Sequence, residues 1–351
     1  MISRLYCTAM LCFTVCILAG QIPPGYYDPA SGLHGEALQE ALYDIIKEHN
    51  VETYSQLWDD FQFTDRKANG KVWDMYSDVP GGTPPYQYTF ITDQCGNYSQ
   101  EGDCYNREHT FAKSWFGGEI YPMYSDLFHI YPTDGWVNNK RGNYPFGETG
   151  NATWTSLNGS KTGNCNYTGY SDVIFEPVDA YKGDIARSFF YMACRYYGED
   201  NDWPGSDMTS GSQLKPWALD LMHAWHLADP VSTKEIERNE AVYDIQQNRN
   251  PFIDHPEFME MIWFYTQSKE NTIPSCPVRV YPNPFQDQML IELPGNCHAE
   301  LKLTGMLGRE LFSVKIHGKQ QIRPELPEGM YFLIITGPDN TILRTEKVIK
   351  M

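Results

Sequence analysis

YNREHTFAKSWF (residues 105–116) and SDLFHIYPTDGWVNNKRGNYPFGE (residues 125–148) are unusually rich in side chains that can do chemistry. LFHIYP reads as a strand. Thr133 or Asp134 can cap a short helix that Gly142 ends. On such a helix Asn138 and Arg141 are three apart and share a face, so one element can present two functional groups. Glu108 and His109 are neighbours, and neighbours on a regular strand face opposite ways. Their convergence on one site therefore predicts irregular backbone around them.

The hydrolysis of a phosphodiester needs a base that works near neutral pH, which suits a histidine. It also needs charge neutralisation, which suits a hard cation held by oxygen. Mg²⁺ keeps several waters and needs only one or two protein ligands. His109 is the candidate base, and Glu108 and Asn138 are the candidate ligands, with Asn139 the alternative to Asn138. Arg107, Lys113, Lys140 and Arg141 are candidate phosphate contacts. No H-E-x-x-H, G-x-S-x-G or Walker loop competes in the chain. His129 fits either a supporting role or a buried hydrogen-bonded position. Glu176, Asp179 and Asp184 fit a second cation or helix capping, and His223 and His226 fit core packing.

Outward from this segment the pattern is helical. Leu38, Leu42, Ile45 and Ile46 mark an amphipathic helix. Residues 184–197 and 216–227 read as buried helices, and Ser232 with Glu235 forms a capping box opening a helix to about residue 247. EFMEMIWFY (257–265) reads as a last apolar helix. KVWDMYSD (71–78) and YQYTFIT (86–92) read as two strands around a Gly/Pro turn. Beyond a polar linker at 269–276 the period changes to two. VRVYPNPF, QMLIEL, HAELKLTG, RELFSVKI, GMYFLIITG and ILRTEKVIK then read as strands of a small all-β, immunoglobulin-like sandwich.

Residues 1–20 combine Arg4 with an apolar run and small residues, the pattern of a secretory signal peptide, and no later stretch is long and apolar enough to span a membrane. Of nine cysteines, three fall in that leader. The remaining six stand in an oxidising compartment, with Cys95 and Cys104 the best pair. The formal net charge of −18 argues against an extended basic surface that wraps nucleic acid. The whole of the acidic surplus lies between the leader and the C-terminal module, each of which is slightly basic. A short footprint that leans on a cation reconciles this acidity with a phosphodiester substrate.

Over roughly residues 30–270 the chain resembles the secreted endonuclease I family. The likeness is carried by NREHTFAKSWF, SDLFHIYPTDGWVNNKRGNYPFGE, FEPVDAYKGDIARSFFYM and HLADPVSTKEIERNEAVYDIQQNRNPFIDHPEF. That resemblance implies an α+β fold, with a mainly helical domain (21–268) holding a ββα-metal, or His-Me finger, core. It implies His109 as general base, Glu108 and Asn138 as ligands of one Mg²⁺, with Mn²⁺ or Ca²⁺ as substitutes, and Arg141 beside them. It further implies cleavage of DNA, and often RNA, with little sequence preference and 5′-phosphate products. Residues 277–351 resemble the C-terminal sorting domain of type IX secretion, on VYPNPF, LPEGMYFLII and the terminal KVIKM. The partners implied are nucleic acid and that secretion machinery, for a monomer secreted by, or held on the surface of, a Gram-negative bacterium. Two rival readings stay open at this point: hydrolysis of another phosphodiester, and a non-catalytic, aromatic-rich surface-binding protein.

Overall fold

A computed structural model describes residues 22–265, 278–293, 298–305, 309–337 and 342–351. The expected leader and linker, with Cys276 and Cys297, lie outside the described residues. Two compact bodies divide the chain near residue 265.

In the first body, α1 (Gly35–Ile46) buries Leu38, Leu42 and Ile46, three positions of the expected apolar face. α2 (Leu57–Thr64) follows. β1 (Tyr105–His109) pairs antiparallel with β2 (Ile130–Asp134), with Glu108 opposite Tyr131 and His109 opposite Ile130. α3 (Gly135–Arg141) starts directly from β2. A three-stranded antiparallel sheet comprises β3 (Thr149–Thr155), β4 (Lys161–Cys165) and β5 (Val173–Glu176). α4 (Lys182–Arg195) is buried along its whole length. A short pair, β6 (Thr209–Ser210) and β7 (Gln213–Leu214), leads to α5 (Pro216–Ala228). α6 (Thr233–Gln246) opens with the expected capping box, Ser232 and Glu235 satisfying each other's backbone N–H. α7 (Pro251–Asp254) and a wide π-helical turn at Glu260–Phe264 close this body.

Residues 71–92 do not form the expected strands. One backbone bond joins Val72 N to Tyr88 O at 3.0 Å, and Arg66 bridges Val72. The reason is local: Asp74 accepts from the N–H of Tyr76 and of Asp134, and Pro80, Pro84 and Pro85 offer no donors. This loop therefore spends its polar groups on supporting the start of α3. Cys95 and Cys104 are disulfide-bonded, as their spacing suggested, whereas Cys165 and Cys194 are free and buried.

The second body is all-β. β8 (Arg279–Tyr281), β9 (Met289–Glu292) and β12 (Lys319–Ile322) form one antiparallel sheet. β10 (His298–Thr304), β11 (Glu310–His317), β13 (Gly329–Thr336) and β14 (Ile342–Lys350) form the other. Met289, Ile291, Leu301, Leu303, Leu333, Ile335 and Val348 share its core. Leu301 and Leu303 alternate with exposed or half-buried neighbours, the period of two that the sequence displays. β12 escapes such a reading because, of Lys319, Gln320, Gln321 and Ile322, only Ile322 is buried.

Buried charge holds the helices of the first body to the strand that carries the site. Arg238 of α6 donates to Asp65 at 2.9 Å and to the carbonyls of Leu127 and Ile130 at 2.8 and 2.9 Å. Its guanidinium lies 4.1 Å from the centre of the Tyr131 ring. Replacing it with methionine keeps the bulk and strands the buried Asp65 carboxylate. R238M is therefore expected to lose about 3–5 kcal/mol of stability, read as a lower denaturant midpoint; an unchanged midpoint would contradict the role.

Candidate active site

β1 alternates. Asn106 and Glu108 point to the face covered by α3, and Arg107 and His109 point to the other. On the α3 face, Asn138 Nδ2 donates to Asn106 Oδ1 at 2.7 Å, and Arg141 Nη1 lies 3.5 Å from Glu108 Oε1. The near-complete turn between Asn138 and Arg141, a rise of about 4.5 Å, thus lies alongside the two-residue step between Asn106 and Glu108. Asp134 makes this possible as N-cap of α3, accepting from Val137 N at 2.8 Å, from Gly102 N at 2.8 Å and from the Tyr88 hydroxyl at 2.5 Å. Gly142, at φ 56°, ends the helix in a conformation that favours glycine.

Glu108 is 1% exposed. The Tyr76 hydroxyl donates to its Oε1 at 2.9 Å. Both contacts fall on Oε1, and among the described residues no hydrogen bond reaches Oε2, which is not sealed from solvent. Burial lifts the Glu108 carboxyl to about 7, against the opposing pull of Arg141 and Tyr76. Asn138 is half-buried and Asn139 exposed. With Nδ2 engaged by Asn106, the Asn138 amide oxygen is left as an acceptor.

His109 sits in aromatic company. Its ring lies 5.6 Å from Tyr124 and 5.7 Å from Tyr54, stacked with both, and 5.6 Å from His129. Nε2 faces the Tyr124 carbonyl at 3.3 Å. If that nitrogen carries the hydrogen, Nδ1 is the free base. Burial holds the His109 pKa well below the ordinary 6.5, and the neighbouring His129 adds to this. The ring is therefore neutral, and able to accept a proton, throughout the neutral range.

Arg141 stands elsewhere than a solvent-facing phosphate contact would. It is 1% exposed and donates to the carbonyls of His109 at 2.9 Å and Thr110 at 2.6 Å. Trp115 and Phe146 flank its guanidinium at 5.4 and 4.7 Å. The strand, contrary to the irregular backbone expected, keeps regular register through His109. Glu108 and His109 accordingly leave β1 on opposite faces.

His129 is buried, its Nε2 2.7 Å from the Met123 carbonyl. The carboxylates considered for a second cation each meet a lysine: Glu176 and Asp179 meet Lys182 at 3.3 and 2.8 Å, and Asp184 meets Lys234 at 2.7 Å. His226 is buried against Arg187 and the Pro256 carbonyl, and His223 faces Glu260. Tyr76, Tyr54 and Tyr124 escaped sequence reasoning, because an aromatic that supports a site looks like any core aromatic. Asn106 could have been found from its two-residue spacing to Glu108.

A family model described as Endonuclease I matches residues 34–257. The chain belongs to the Endonuclease I family. The extracellular ribonuclease of Bacillus amyloliquefaciens is 38% identical over 247 residues, 68% of this chain and 78% of that protein. The extracellular ribonuclease of Bacillus subtilis (strain 168) is 36% identical over the same shares. A periplasmic deoxyribonuclease of Aeromonas hydrophila is 28% identical over 144 residues, 39% of this chain and 50% of that protein. Residues 279–351 match a secretion system C-terminal sorting domain. The protein is thus a nuclease, of a generally metal-dependent family, secreted or held at the cell surface. No helix among the described residues is long and apolar enough to cross a membrane.

Proposed function

We propose that the enzyme cleaves DNA and RNA with little sequence preference, using one Mg²⁺ and leaving 5′-phosphate ends. The observation that carries the reading is the α3–β1 face, which a buried carboxylate with an unengaged oxygen shares with the amide oxygen of Asn138, one residue from a neutral histidine. Two hard oxygen donors, with no group of three or more His, Cys, Asp or Glu among the described residues placed to hold a metal, suit a water-rich cation such as Mg²⁺. Glu108 and Asn138 would hold it, and Mn²⁺ or Ca²⁺ would fit the same donors. When bound, the cation neutralises charge that develops on the phosphate in the transition state.

His109 takes the proton from the attacking water at Nδ1, and the Tyr124 carbonyl fixes its ring. Arg141 serves as a positioning residue, holding the end of β1 from beneath and keeping Glu108 in place. RNA stands beside DNA as substrate because the most similar relatives above are named ribonucleases. We further read the core as a His-Me finger within a nuclease domain at 21–268, behind a leader at 1–20. A linker at 269–276 then joins it to a sorting domain at 277–351, an immunoglobulin-like sandwich that addresses the monomer to type IX secretion.

H109A is expected to lower cleavage of plasmid and of RNA by about 10²–10⁴-fold with the melting temperature preserved, and EDTA to silence the wild type. A fully active H109A would remove the base assignment, and no cleavage of either polymer with any divalent cation would remove the function.

The pH profile carries a second test. Glu108, with its pKa raised to about 7, is protonated below that value in the metal-free protein, so proton and cation compete for one carboxylate. At limiting Mg²⁺ the rate should fall as pH drops through about 7, and saturating Mg²⁺ should move that fall to lower pH. His109, with its lowered pKa, contributes no fall above 6.5. An acid limb indifferent to Mg²⁺ concentration would contradict the assignment of Glu108.

A further inference from the structure

We infer that Arg107 grips the phosphate adjoining the one being cleaved, through a guanidinium held ready by an aromatic clamp. This inference rests on the nuclease reading above. Arg107 and His109 leave β1 on the same face, and two strand steps separate them by about 6.6 Å. That is comparable to the distance between neighbouring phosphates on an extended strand. A scissile phosphate beside His109 would therefore bring an adjoining phosphate towards Arg107.

The side chain is fixed before any substrate arrives. Its guanidinium lies over the Tyr54 ring at 3.5 Å and over the Trp58 ring at 4.3 Å, and Nη1 donates to the Tyr54 carbonyl. Tyr54 in turn stacks on Tyr124 at 4.1 Å, and both rings stack with His109. One aromatic assembly therefore sets the base and the cation relative to each other. Holding a long side chain in its bound rotamer removes much of the ordering that binding would otherwise require.

Among the described arginines that are buried or half-buried, Arg107 is marked out by the carboxylate it lacks; Arg66, Arg279, Arg309 and Arg323 also lack one but are exposed. Arg187, Arg195, Arg238 and Arg249 each meet a carboxylate. Lys113, which also acts on the His109 ring, is engaged by Glu119 at 3.2 Å. Among the described residues no carboxylate lies within 4.0 Å of Arg107, although the chain carries a net charge of −18. Burial works against the charge of this half-buried guanidinium, and the two rings offset only part of that. None of its N–H groups is sealed from solvent without a partner. A half-buried, preorganised guanidinium with an open edge beside a phosphodiester site suits a phosphate oxygen pair. It also gives an acidic protein a basic contact where the substrate passes, without a basic surface.

The test uses the full enzyme with a single-stranded oligonucleotide, at fixed Mg²⁺ and varied NaCl. R107M should raise KM by about 10–100-fold and leave kcat within about twofold. The slope of log(kcat/KM) against log[NaCl] should flatten by about 0.7, the loss of one phosphate contact. R107K, which keeps the charge, should restore the slope while KM stays above wild type. Should R107M fail to fold, R107Q gives the same reading, since its amide can still meet the Tyr54 carbonyl. A wild-type salt slope in the neutral variant would overturn the inference and leave Arg107 as a fastener of the 50–58 loop. A wild type that cleaves nothing would instead be a failure of the nuclease reading.

Discussion

The guanidinium of Arg141 lies beneath the end of β1, between Trp115 and Phe146, and donates to the carbonyls of His109 and Thr110 while facing Glu108. A cation this deeply buried is tolerable only where several acceptors surround it. Here those acceptors belong to the residues to which we assign the chemistry, and to the residue that follows them. Removing the cation would leave Glu108 with one neutral donor, and would leave two buried carbonyls each short of a partner, at about 1–3 kcal/mol apiece. The position of the carboxylate, the end of the strand and the last turn of α3 therefore depend on one another.

This arrangement explains how Glu108 and His109 can cooperate from opposite faces of a regular strand. The α3 face is a place for oxygen donors, ordered by the Asp134 cap and the Asn106–Asn138 bond. The other face is aromatic, and it keeps the His109 ring neutral chiefly by burial, with His129, Lys113 and Arg107 nearby adding to the effect. The reacting phosphate would meet both at the end of β1, where the strand stops and the chain turns away. The acidity of the chain fits this economy, since the site as proposed would rely on a cation at two ligands and on few basic side chains.

Much of this was legible in the sequence where a local rule dominates. The 3.6-residue period of α1, the capping box of Ser232 and Glu235, and the two-residue alternation of β10 and β13 each depend on neighbours in the chain. So does α3, with Asp134 before it and Gly142 after it. The exceptions share a cause in long-range partners. Residues 71–92 look strand-like because Val72, Tyr88 and Phe90 are apolar, yet Asp74 is committed to the N–H of Asp134, sixty residues away. Arg141 resembles a surface phosphate contact in a basic stretch, and only the fold shows that its two Nη groups are taken by the carbonyls of His109 and Thr110. Tyr76, Tyr54 and Tyr124 carried no signal at all, because their use depends on which side of β1 each one meets.

The central claim is that Glu108 and Asn138 hold the cation while His109 stays free of it. Crystals of the enzyme soaked with Mn²⁺ and measured at the manganese absorption edge test that claim most directly. One anomalous peak is expected between the Glu108 carboxylate and the Asn138 amide oxygen, with no bond to either nitrogen of His109. A peak centred on the His109 ring, or on a carboxylate away from α3, would contradict it.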